Sequence, residues 1–268
     1  MKIKTVREGI EPTIVVVNGF LTGNDDKVQD WLEVVDTLHP ENRVIHAHWD
    51  ASNLIRIAKR SGLTLVTLLW TIPVGIVFLL GASVSKRIAQ DWQKALEDTE
   101  LSGYRLASYL EEQDGQFILY GHSLGARVIY HAIKNTNRVD SIAGALLFGG
   151  AIGNDEPWLE LYEKHPQLIL FNCYSDRDWV LKTLYRLGTI FTNTPIGLSG
   201  IENSKSSLIY NINVSGVVSG HNKYKRKEVA ERLIARVSVS NPEEKNEGMI
   251  LSRKISPLRA FWGSFFGQ

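Results

Sequence analysis

With one cysteine in 268 residues, the chain cannot form an internal disulfide, which excludes a small cross-linked scaffold. Cys173 sits in an apolar run and is read as a core thiol suited to a reducing compartment. An excess of charge of one sign is missing too. Thirty Lys and Arg oppose 29 Asp and Glu, a formal net charge of +1, so no global field draws in nucleic acid or anionic substrates. Any ligand must be held by a local site. No internal repeat at a fixed period and no low-complexity tract is present. Lys2, Lys4 and Arg7 precede an apolar run, Ile14 to Val17, that is too short for a signal-peptide core, and no small-residue cleavage site follows. The expectation is a cytoplasmic protein without a classical signal peptide.

Uncharged length occurs in one place, from Gly62 to Ser85. A single membrane crossing there would put the strands before it and after it on opposite sides of a bilayer, which no sheet survives. A hairpin folded at Pro73 has arms of about eleven residues, roughly 16 Å at helical rise, against a hydrocarbon core about 30 Å thick. Two readings remain: a buried helical hairpin packed on the core, or an apolar cap that covers a site or dips into a membrane surface. The second adds peripheral membrane association to the expected location.

What the chain has is 44% apolar residues, enough for a large core, in an α/β rhythm. Strands are predicted near Thr13–Asn18, Arg43–His48, Gln116–Gly121, Ile142–Phe148, Gln167–Tyr174 and Leu208–Val214. Helices are predicted near Asp25–Leu38, Leu54–Arg60, Lys86–Glu112, Leu124–Lys134, Glu156–Glu163, Asp178–Leu187 and Lys223–Val237. This alternation implies a doubly wound, mostly parallel sheet of about six strands with an inserted apolar helical hairpin. Residues 1–240 are expected to form a single domain. From Asn241 a solvated linker leads to an aromatic end with Phe261, Trp262, Phe265 and Phe266, so 241–268 reads as linker and tail. In such a sheet ligands bind beyond the carboxyl ends of the strands.

The chemistry gathers at those ends. Gly121-His122-Ser123-Leu124-Gly125 is a G-x-S-x-G pentapeptide with a strand directly before it and a helix directly after. The pattern alone is common, and the strand-to-helix setting gives it weight. A turn this tight forces the serine into a strained backbone and leaves no room for side chains two positions either way. The helix start offers the Leu124 N–H to a developing oxyanion, and the loop after the first strand, Asn18-Gly19-Phe20, offers the Phe20 N–H as a second donor. The alternative is that Gly19 makes a plain strand-end turn.

A serine needs a base, and in this architecture the chain order is serine, acid, histidine. His39, His46, His48 and His122 precede Ser123, His131 lies on the following helix, and His165 precedes the last two strands. His221 remains, in a polar loop after the final strand. The acid should follow the preceding strand, where Asp176 and Asp178 compete. Asp178 is taken first, with helix capping as its alternative role and a turn as that of Asp176.

Asn18-Gly-Phe20, Gly121-His-Ser-Leu-Gly-Ala-Arg-Val-Ile-Tyr130, Tyr174-Ser-Asp-Arg-Asp-Trp-Val-Leu181 with Leu184-Tyr-Arg186, and Val218-Ser-Gly-His221 together resemble the α/β-hydrolase family catalogued as domain of unknown function 726. Its eukaryotic members include transmembrane and coiled-coil domain proteins, and the resemblance runs from about Thr13 to Tyr224. It implies a serine nucleophile, hydrolase activity and Asp178 as the acid. It implies no substrate. The expected reaction is hydrolysis of a lipid-like carboxylic ester through an acyl-enzyme on Ser123, with no metal and no organic cofactor. Thioester or amide cleavage, or a catalytically silent module binding membranes or protein partners, are the rivals. The run Lys223-Tyr-Lys-Arg-Lys227 reads as attraction to anionic headgroups or as a solvated helix face.

Overall fold

The computed structural model of the protein describes residues 1–19, 28–49, 82–186, 193–202 and 208–239. Seven strands form one sheet: β1 (Lys2–Arg7), β2 (Ile10–Val17), β3 (Asn42–His48), β4 (Phe117–His122), β5 (Ile142–Phe148), β6 (Ile169–Tyr174) and β7 (Ile209–Asn213). Their spatial order is β1-β3-β2-β4-β5-β6-β7. Every neighbouring pair is parallel except β1 with β3. Six helices accompany them among the described residues: α1 (Gln29–Leu38), α2 (Ala82–Glu112), α3 (Leu124–Asn135), α4 (Trp158–Lys164), α5 (Trp179–Arg186) and α6 (Lys227–Val239).

Parallel strands buried on both faces read as continuous apolar runs, and Ile14 to Val17 of β2 are all fully buried. Their two-residue period divides them between two cores. Ile14 and Val16 pack with Trp31, Val34 and Val35 of α1 and Val229 and Leu233 of α6. Val15 and Val17 pack on the opposite face with Leu106 and Leu110 of α2, Val128 and Ile129 of α3 and Leu161 of α4. The helices α2 and α3 approach closely because Gly103 faces His131; a Cβ at 103 would run into the His131 Cβ.

The sheet has one strand more than the six expected. The β1 segment, Lys2-Ile-Lys-Thr-Val-Arg7, is charged and largely exposed, so it carries no apolar run; lysines on an edge strand also discourage further pairing. It is fastened by the Arg7 guanidinium, which pairs with the Asp36 carboxylate and donates to the His39 and Asn42 carbonyls. α6 begins at Lys227 rather than Lys223, because His221–Lys223 form a separate 3-10 turn. The expected helix 54–60, most of the apolar segment 62–85 and the tail 241–268 lie outside the described residues; 82–85 form the first turn of α2. Among the described residues no helix is long and apolar enough to cross a membrane.

After β2 the chain goes to β3 on one side and returns to β4 on the other. The crevice beyond the carboxyl ends of β2 and β4 is therefore the topological switch point, where a doubly wound sheet offers a site.

Candidate active site

Ser123 stands at that switch point, between β4 and α3, with φ 57° and ψ −120°; among the described residues it alone has positive φ without being glycine. Such a conformation costs of order 1–3 kcal/mol and persists only where the surroundings enforce it. The enforcement is visible. A Cβ on Gly121 would lie 2.7 Å from the Ala126 Cα, and one on Gly125 would run into the Val17 carbonyl oxygen. The two glycines thus make room for the α3 backbone and for the end of β2, rather than for each other as the turn alone suggests. The Ser123 N–H donates to the Phe148 carbonyl at 3.0 Å, tying the turn to β5.

Gly19 is needed for a third reason. Its φ is not positive, but a Cβ there would lie 2.7 Å from the Ser123 Cβ and 2.8 Å from the His122 carbonyl oxygen. The end of β2 therefore rests directly on the serine. Asn18 anchors that end: the indole N–H of Trp31 and the Lys225 ammonium donate to its Oδ1 at 2.8 and 3.1 Å, and the indole N–H of Trp49 donates to its main-chain carbonyl at 2.7 Å. Phe20, the expected second oxyanion donor, lies outside the described residues. Leu124 is the first residue of α3, so its N–H is among the four that a helix leaves without an internal acceptor.

The serine, histidine and aspartate that sequence reasoning selected are brought together. The Ser123 Oγ lies 2.8 Å from the His221 Nε2, and the His221 Nδ1 lies 2.7 Å from the Asp178 Oδ2. Asp178 is fully buried and His221 nearly so. A carboxylate only accepts, so Nδ1 carries the proton and Nε2 is left to accept from the serine hydroxyl. Asp178 also serves its alternative role: its Oδ1 accepts the Leu181 N–H at 3.1 Å at the start of α5. Asp176 is exposed, and its N–H donates to the Ser215 hydroxyl at 3.0 Å, so the competing carboxylate is not at the imidazole.

The loops that carry acid and base are stitched to each other. The Ser175 hydroxyl donates to the Val218 carbonyl at 2.9 Å, and its N–H donates to the Gly197 carbonyl at 3.0 Å. The Tyr224 hydroxyl donates to the same Gly197 carbonyl at 3.2 Å. Burial and the adjacent Asp178 carboxylate hold the Tyr224 phenol well above its ordinary pKa, so it stays neutral. Beneath the base lies His122, whose Nε2 donates to the His221 carbonyl at 2.7 Å. Burial first, then His221 and Lys225, depress its pKa well below the usual range.

Sequence reasoning missed Ser175, Tyr224, Lys225 and Asn18 as parts of this assembly. Lys225 had been placed in an exposed basic run, yet its chain is buried over the Trp31 ring, 5.3 Å from the centroid, with Asp30 at 3.7 Å. Only Arg226 and Lys227 of that run are fully exposed. No sequence signal separates Lys225 from its neighbours, because it lies between the 3-10 turn and the start of α6, where no side-chain period runs.

A sheet of this order carrying a serine at a glycine-flanked elbow, with histidine and aspartate supplied from the last two strands, defines the α/β-hydrolase fold. The chain belongs to the family described as "Protein of unknown function (DUF726)", whose sequence model matches residues 51–240. The match starts beyond Asn18-Gly19-Phe20, so the first loop lies outside it. An uncharacterized membrane protein of Caenorhabditis elegans is 31% identical over 175 residues, 60% of this chain and 28% of that protein. A probable lipase of Saccharomyces cerevisiae, MIL1, is 24% identical over 250 residues, 85% of this chain and 22% of that protein. The rice transmembrane and coiled-coil domain-containing protein STS1 is 24% identical over 233 residues, 78% and 34% of the two chains. The chain thus spans about a third or less of the length of these relatives. Among solved structures, mouse alpha/beta hydrolase domain-containing protein 10 overlays with a TM-score of 0.40 at 13% identity, covering 89% of this chain and 92% of that one.

Proposed function

We propose that this chain is a serine hydrolase that cleaves a carboxylic ester of lipid-like character through an acyl-enzyme on Ser123. One observation carries the reading: an unbroken hydrogen-bonded line from the Ser123 hydroxyl through His221 to Asp178, at 2.8 and 2.7 Å, ending in a fully buried carboxylate. In the proposed reaction His221 Nε2 takes the hydroxyl proton as the Ser123 Oγ attacks the ester carbonyl carbon. The carbonyl oxygen becomes an oxyanion held by the Leu124 N–H and, in the sequence-based proposal, the Phe20 N–H. The imidazolium returns the proton to the departing alkoxide, leaving the acyl group on Ser123. Water then repeats the sequence and releases the acid. Asp178 holds the tautomer and the imidazolium throughout and stays ionised.

The lipid-like part has separate support. Trp179, directly after the acid, and Val217, four residues before the base, are 37% and 41% exposed, apolar side chains close in sequence to the site residues. The uncharged segment 62–85 and a relative named as a probable lipase point the same way. We also propose peripheral membrane contact through 62–85; relatives named as membrane proteins are consistent with it.

A fluorophosphonate probe tests the enzyme reading. Wild type should become labelled and Ser123→Ala should not; equal labelling of the two, or none of wild type, means a silent module. Activity against matched ester, thioester and amide substrates then orders the three bond types, which share this machinery. For the membrane, wild type should float with anionic liposomes while a variant with Leu68→Glu and Phe78→Glu stays at the bottom. Equal flotation removes the membrane role.

A further inference from the structure

We propose that His122, the residue before the nucleophile, is a positioning residue for His221: its ring N–H holds the His221 carbonyl and so sets the height at which the imidazole meets Ser123. The proposal rests on the serine-hydrolase reading of the site.

The strand period explains why this residue is available. Ile118, Tyr120 and His122 of β4 share one face of the sheet, and Ile118 and Tyr120 pack in the core that contains Val214, Val218 and Tyr224. His122 therefore points to the face over which the chain after β7 returns. The next residue turns away at the elbow. As a result one dipeptide grips one histidine twice: the Ser123 hydroxyl at the ring Nε2, 2.8 Å, and His122 Nε2 at the main-chain carbonyl, 2.7 Å. The two imidazole rings lie with centroids 4.8 Å apart and planes at 41°.

The loop that carries His221 needs such a grip. It runs from Val214, where Val217 and Val218 turn on the Val214 carbonyl, to an extended Gly220 and the single 3-10 turn His221–Lys223. Ser175 holds it at Val218 on the acid side, and His122 holds it at residue 221 itself. A carbonyl only accepts, so His122 Nε2 must carry the proton, and a neutral ring then has an unprotonated Nδ1. That Nδ1 is buried and has no hydrogen-bond partner among the described residues. A side chain that merely filled this space would need no such unpaired acceptor, so it is the Nε2–H that requires a histidine here.

The test compares His122→Gln, whose amide N–H reaches about as far as Nε2, with His122→Asn, whose amide is too short, and His122→Leu, which has none. Turnover of p-nitrophenyl butyrate is read with thermal unfolding of each variant. Leu and Asn should lose about 100-fold in kcat with KM changed less than twofold, the scale expected of a base displaced by about an ångström. Gln should recover at least tenfold of that loss. The strongly downfield proton resonance of the His221–Asp178 bond should persist in wild type and Gln and vanish in Asn and Leu. Should His122→Leu not fold, Gln against Asn decides alone. Wild-type turnover in Asn or Leu, or Gln no better than Asn among folded variants, overturns the proposal. Wild type that neither labels with fluorophosphonate nor turns over substrate sinks the hydrolase reading instead; the resonance still decides, since its survival in Asn and Leu would refute a positioning role.

Discussion

At the residue scale the sharpest question is how one carboxylate serves two partners. Asp178 gives one oxygen to His221 and the other to the Leu181 N–H. Asparagine is a good helix cap, so Asp178→Asn keeps α5 while presenting an amide to the imidazole and favouring the wrong tautomer. The expected result is a fall in kcat of about four orders of magnitude, the scale this exchange has in a serine protease, with an unfolding midpoint close to wild type. Asp176→Asn should retain wild-type kcat, because Asp176 is exposed and its side chain is not at the base. Ester turnover by the two variants checks both statements, and a larger loss from Asp176→Asn would reassign the acid.

At the element scale, much of the fold was legible. β5 has the predicted bounds, and most other strand ends lie within two residues of prediction, because buried parallel strands are apolar runs bounded by polar turns. β1 was illegible for the converse reason: an edge strand with one solvated face and two lysines looks like loop. The meeting of Ser123, Asp178 and His221 was also legible, since chain order and the rule that sites follow strand ends left few choices. What the sequence could not reveal was the supporting layer. Nothing in a one-dimensional pattern reveals what Ser175, Tyr224 and Asn18 hold together, because each acts through contacts with residues distant in sequence, such as Ser175 with Val218 or Tyr224 with Gly197. Likewise the glycine at 19 could be assigned to a turn, but not to contact with the serine itself.

At the scale of the whole molecule, the buried histidines set the acid limit of stability. Burial, with Arg7 beside it, lowers the His39 pKa to about 3, and burial with Arg127 and Lys134 lowers that of His131 to about 3; His122 is depressed in the same direction. In the unfolded chain each titrates near 6.5. Between those values the unfolded state binds protons that the folded state refuses, so stability is complete above about pH 6.5 and declines as the pH falls. Each such histidine contributes a slope of up to about 1.4 kcal/mol per pH unit. Urea midpoints should therefore drop clearly from pH 7 to pH 5, and His131→Phe should flatten the slope by one proton. Equal midpoints at the two pH values would contradict this account.

The shared carboxylate has a consequence on this scale as well. Since Asp178 seats the first turn of α5 and anchors the imidazole with its two oxygens, the ordering of that helix and the placement of the His221 ring form a single thermodynamic cycle. Whatever pulls α5 from its seat releases the imidazole, and whatever draws the imidazole away loosens the helix by the same free energy.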